Sequence, residues 1–189
     1  MIPILFKILR TGFVGEEAPG TREDWRTRAP QVQAEILRML GRALVIRQVD
    51  AGSCNGCELE LHALNNPYYN IEGLGIRFAA SPRHADMLLV TGPVTRHMEQ
   101  ALRIAYEAMP DPKLVVAVGD CGCNGGIFGE GYATVGGVAK VIPVDVTVPG
   151  CPPPPLAVLQ GILTAVSTAI PDSDKGAGGQ ASSGIQESR

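Results

Sequence analysis

The chain has 189 residues, 45% of them hydrophobic and 19% charged, with a formal net charge of −3. That length suits one domain with tails and a sizeable core, and the mild negative charge and 5% aromatic content do not suit a nucleic-acid surface. No stretch reaches the roughly 18 apolar residues needed to cross a bilayer, so the chain is expected to be cytosolic and its five cysteines reduced unless something ligates them.

The first residues, "MIPILFKILRTG", are apolar with Lys7 and Arg10 and have no small-residue cleavage site. "IPILFKILR" is too short to span and reads as a segment that docks on a membrane partner or lies at the interface; a helix packed on the chain's own core is the alternative. Residues 11–30 mix charge, Gly and Pro as an extended connector, so 1–30 form an N-terminal extension. From Gln31 to Ala43, Val32, Ile36, Leu37 and Leu40 recur at helical spacing. "ALVIRQVD" (43–50) is a short β-branched strand. "CELELHAL" starts a helix that "NNP" (65–67) ends.

"IRFAA" (76–80) and "MLLVTG" (87–92) are the next two strands. Residues 95–109 set Met98, Ala101, Leu102, Ala105 and Met109 on one helical face, closed by Pro110. "KLVVAVG" (113–119) and "VDVTVPG" (144–150) are strands. A last helix follows "PPPP" (152–155) with Leu156, Leu159, Leu163 and Val166 along it; proline suits a first turn, where its missing N–H costs nothing. Residues 31–170 are thus one α/β domain, and 171–189 form a polar tail expected to be disordered. Apolar strand runs alternating with helices predict an open parallel sheet covered on both faces.

The cysteines fall at the ends of these strands. Cys54 and Cys57 follow the first, Cys121 follows "LVVAVGD" and Cys151 follows "VDVTVPG". Ligands of an open parallel sheet bind beyond the carboxyl ends of its strands, so four thiols should converge on one rim. A thioredoxin-like dithiol accounts for Cys54 and Cys57 alone. Structural zinc usually comes as two paired knuckles rather than one pair and two singles. Buried structural thiols fit poorly with Gly/Pro-rich surroundings. A phosphate loop lacks its lysine signature. A 4Fe–4S cluster needs four soft thiolates and a closely approaching backbone. "GDCGCNGGIFGEG" (119–131), with its six glycines, and "PGCPPPP" supply both. On spacing alone either Cys121 or Cys123 serves as the third ligand; zinc and dithiol chemistry remain the alternatives.

Taken together, "GSCNGCELE", "SPRHADMLLVTGPVT", "MPDPKLVVAVGDCGCNGGIF" and "IPVDVTVPGCPPPP" resemble one family across about residues 44–166. It is the B-subunit family of NADH–quinone oxidoreductase, with the related small subunits of membrane-bound NiFe hydrogenases and formate hydrogenlyase. The resemblance implies a flavodoxin-like sheet and one 4Fe–4S cluster on Cys54, Cys57, Cys121 and Cys151, with Cys123 at a position usually filled by a small polar residue. It implies an electron-transfer subunit with no catalytic residues of its own, peripheral on the cytoplasmic face of the membrane. Its partners would be a large catalytic subunit, other iron–sulfur subunits and membrane subunits.

Quinone-reducing members carry adjacent cysteines where this chain has Cys54-Asn55-Gly56-Cys57, which points to the hydrogenase and formate hydrogenlyase branch. Quinone reduction and a non-redox scaffold with structural zinc are the alternatives. Arg83 and His84 lie on a turn that the resemblance places near the cluster and the large-subunit contact; there Arg83 would offset cluster charge and His84 would couple a proton, against a solvated loop. Glu58 and Glu60 open a helix, where carboxylates are favoured anyway, and are assigned no role.

Overall fold

In the computed structural model, the described residues are 41–168 together with Pro30, Gln33, Ala34, Ile36 and Leu37. The docking segment and the polar tail expected from the sequence lie outside them.

Five strands form the central sheet: β1 (Leu44–Asp50), β2 (Ile76–Phe78), β3 (Met87–Thr91), β5 (Leu114–Val118) and β7 (Val146–Val148). Their spatial order is β2-β1-β3-β5-β7, every neighbouring pair parallel. Counting these strands alone, this is the 2-1-3-4-5 order of flavodoxin-like sheets. A second, antiparallel ribbon joins β4 (Val94–Thr95) to β6 (Thr134–Gly136). The helices are α1 (Gly56–Leu64), α2 (Arg96–Glu107), α3 (Gly119–Asn124) and α4 (Pro155–Thr168).

Side chains alternate across each strand. Met87 and Leu89 of β3, with Val116 and Val118 of β5, pack on one face against Leu61 and Leu64 of α1 and Val158, Leu159 and Ile162 of α4. Leu88 and Val90, with Val115 and Ala117, pack on the other against Leu102 of α2 and Val138, Val141 and Ile142. All five residues of β3 are buried, and burying each large aliphatic side chain stabilises the fold by about 1.5–3 kcal/mol. That double burial is why the strands read as continuous apolar runs.

Three details differ from the sequence reading. Residues 119–124 are helical rather than loop. Among the residues expected on apolar helix faces, Ile36 is buried but Leu37 is exposed, and on α2 Ala101 is exposed while Leu102 is buried. β4 and β6 are too short for any periodicity to register.

Candidate metal centre

The chain leaves β1, β3, β5 and β7 at the same edge of the sheet, because these strands run parallel. Asp50 ends β1, and its Oδ1 accepts hydrogen bonds from the amides of Gly52 and Ser53 at 2.9 and 2.8 Å. This Asx turn reverses the chain; Ser53 Oγ then accepts from Asn55 N at 3.0 Å. Asn55 sits in the left-handed region with φ 73°, and α1 begins at the next residue. Cys54 therefore projects from the turn and Cys57 from the first turn of α1. The loop is tied to its neighbour: Ala51 N donates to Thr91 O at the end of β3, and Thr95 N donates to Ala51 O.

Cys121 lies in α3, directly after β5, and Cys151 in the turn between β7 and α4. Cys54 and Cys151 are exposed, and Cys57 and Cys121 half-buried, all as free thiols. The four share one electrostatic neighbourhood. Partial burial, then Glu58, Cys121, Cys54 and Cys151, push the Cys57 thiol up to about 12. Burial, then Cys151 and Cys54, raise Cys121 in the same direction. Charge on Cys151 and Cys54 thus disfavours the thiolates of Cys57 and Cys121, as neighbouring like charges do.

Two glycines make room for the sulfurs. A Cβ on Gly119, whose φ is +83°, would lie 2.6 Å from Cys57 Sγ. A Cβ on Gly126 would lie 2.8 Å from Cys121 Sγ. The backbone approach that an iron–sulfur site requires is therefore present, and soft thiolates are its fitting donors. Among the described residues no group of three or more His, Cys, Asp or Glu side chains is gathered for a single metal ion.

Cys123 takes a different direction. Residues two apart on a helix diverge by about 200° around its axis, and Cys123 Sγ contacts Ala117 O at 3.9 Å, toward the sheet. Its thiol is raised by burial and Asp120 and lowered by hydrogen bonding with Val148 and Thr147.

Arg83 and His84 occupy a 3-10 turn, Pro82–His84, just before β3. Both are exposed at the start of that strand, the end opposite Thr91, and neither figures among the charges given above for Cys57, Cys121 and Cys123. Glu58, expected as an ordinary first-turn acid, is 5% exposed with neither carboxylate oxygen hydrogen-bonded, while its neighbour Leu59 is 62% exposed. Sequence reasoning also passed over Asp50 and Asp120. Their signal was an Asp closing a strand just before a Gly-rich, cysteine-bearing turn.

Residues 54–165 match the family model described as NADH ubiquinone oxidoreductase, 20 Kd subunit. The chain is 43% identical over 146 residues to a probable membrane-bound hydrogenase subunit, mbhJ, of Pyrococcus furiosus, covering 77% of this chain and 87% of that protein. It is 45% identical over 135 residues to formate hydrogenlyase subunit 7 of Escherichia coli, covering 71% of this chain but only 53% of that relative's length. The NADH-quinone oxidoreductase B subunit of Citrifermentans bemidjiense is 45% identical over 107 residues, 57% of this chain and 62% of that one. Among solved structures, a chain of the membrane-bound sulfane sulfur reductase, an archaeal respiratory membrane complex, superposes with a TM-score of 0.59 at 35% identity, covering 74% of this chain and 77% of that one. Among the described residues, no helix is long and apolar enough to cross a membrane. With its family motifs carried on the ends of parallel strands, the chain belongs to the 20 kDa subunit family of NADH–ubiquinone oxidoreductase.

Proposed function

We propose that the chain is the electron-transfer subunit of a membrane-associated NiFe hydrogenase or formate hydrogenlyase-type complex, holding one 4Fe–4S cluster on Cys54, Cys57, Cys121 and Cys151. The observation that carries this reading is the gathering of four thiols from three strand ends on one rim, with mutual charge coupling that reaches Cys57 from all the others. A tetrahedral thiolate site for one zinc ion would bring sulfurs to roughly 3.8 Å from each other. A cubane takes one thiolate per iron and spreads them wider. Four soft thiolates approached closely by glycine backbone support the cluster over structural zinc.

When bound, the cluster accepts and releases one electron at a time. The protein's part is to place it, shield it and set its potential. Backbone amides of Gly-rich turns around sulfur favour the reduced, more negative state, and the carboxylates of Asp50, Glu58 and Asp120 work against it. Arg83 and His84, retained as candidate tuning residues, stand at the end of β3 opposite the rim and would act only as long-range charge. This reading assigns no nucleophile or general base to the chain and places the chemistry in a large partner subunit. Ile127 and Tyr132, 90% and 97% exposed in the stretch after α3, support docking there. Peripheral attachment on the cytoplasmic face follows from the same partnership.

The hydrogenase branch rests on Cys54-Asn55-Gly56-Cys57. Asn55, of a residue type that tolerates the left-handed region, and Gly56 carry the chain from the Cys54 turn into α1. The similarity to the B subunit of an NADH-quinone oxidoreductase supports the second reading, electron delivery to quinone through the same cluster. The purified complex is expected to contain nickel and to evolve hydrogen from a low-potential donor. A nickel-free complex, inert to hydrogen and reducing quinone, would overturn the branch and leave the cluster reading in place.

A further inference from the structure

We propose that Asp120 is a positioning residue that clamps the turn carrying Cys151 to the helix carrying Cys121. The proposal rests on the cluster reading above and extends it to a residue that no ligand motif includes. Asp120 N donates to Gly150 O at 2.8 Å, and Gly150 N donates back to Asp120 Oδ1 at 2.8 Å. Each partner immediately precedes a candidate ligand. The two hydrogen bonds close a small ring between segments separated by 30 residues of chain, so the spacing of two sulfurs is fixed by contact across the rim, not by the connection between β5 and β7.

Local physics makes the clamp economical. Asp120 is in the first turn of α3, where an amide has no intrahelical acceptor; here it is satisfied by the neighbouring turn. The carboxylate satisfies the reciprocal donor, and a charged acceptor makes the stronger hydrogen bond. Asp50 offers a contrast, because its carboxylate bonds Gly52 and Ser53 within its own turn and joins no second segment. Asp120 also adds negative charge beside Cys121 and Cys123, raising both thiols. A role confined to charge is therefore the competitor, and it is separable from positioning because an amide oxygen accepts the same hydrogen bond without the charge.

The test uses Asp120→Ala, Asp120→Asn and Asp120→Glu in the full chain. In the iron-free chain, hydrogen exchange at the Gly150 amide is expected to accelerate at least tenfold in D120A and to fall between the parent and D120A in D120N, whose neutral oxygen accepts a weaker bond. In the iron-loaded complex exposed to ferricyanide, D120A is expected to lose iron severalfold faster than the parent, whereas D120N keeps the parent rate. If D120A does not fold, D120E replaces it, since it keeps the charge but moves the oxygens one methylene too far and should exchange like D120A. Parent-like exchange in D120A or D120E, exchange in D120N as fast as in D120A, or iron loss indifferent to D120A would overturn the proposal. A parent complex without an iron–sulfur signal defeats the cluster reading instead, while the exchange result still judges the clamp.

Discussion

Cys121 and Cys123 stand two residues apart in sequence and face opposite ways in space. Spacing alone left both open as ligands, because a glycine-rich stretch was read as loop, where direction cannot be inferred. Once residues 119–124 are a helical turn, the helix period separates them: Cys121 joins the thiols and Cys123 turns toward Ala117 and β7. Gly119 belongs to the same scale, since its missing Cβ is what admits Cys57 Sγ. Gly119→Ala is expected to destabilise the chain by about 1–3 kcal/mol through left-handed strain and collision together, and to lower iron content. Gly129, at φ +57° with nothing within 4 Å of where a Cβ would stand, isolates the backbone part. Gly129→Ala should cost about 1–2 kcal/mol with iron content unchanged. Urea midpoints and iron per chain measure both, and equal iron loss in the two variants would refute the packing argument.

The main strands were legible because burial on both faces writes them as apolar runs, and parallel order followed from their alternation with helices. What was missed has physical causes. β4 and β6 hold two and three residues, fewer than one side-chain repeat can reveal. Glu58 violates the polar-out rule within α1, where Leu59 is exposed and the acid is buried. Such local conflict is typical near functional sites. α4 shows how closely a helix can approach the sheet. A Cβ on Gly161 would lie only 2.2 Å from Val148 Cγ2, so the helix that follows Cys151 is seated directly on the strand that precedes it. Gly161→Val is expected to cost about 1–3 kcal/mol by overpacking. Ile104→Ala, at a residue 57% exposed on α2, should stay within about 0.5 kcal/mol. Chemical denaturation compares them, and similar losses would contradict the seating of α4.

For the whole molecule, the sheet supplies convergence and the turns supply chemistry. Residues far apart in sequence meet because parallel strands all deliver their carboxyl ends to one rim, a consequence of topology that the order of strands and cysteines already implied. The proposed branch and partners rest only on the Cys54–Cys57 spacing and the family motifs, because they depend on chains that this sequence does not contain. The central claim is that this rim holds one 4Fe–4S cluster on four named thiols. It is tested most directly by electron paramagnetic resonance of the dithionite-reduced complex, with the subunit carrying each Cys→Ser change in turn. The account predicts a 4Fe–4S signal in the parent, its loss or conversion in C54S, C57S, C121S and C151S because oxygen is a poor ligand for the cluster, and a nearly unchanged signal in C123S. A colourless, zinc-containing parent, or a signal that survives C121S and disappears in C123S, would contradict it.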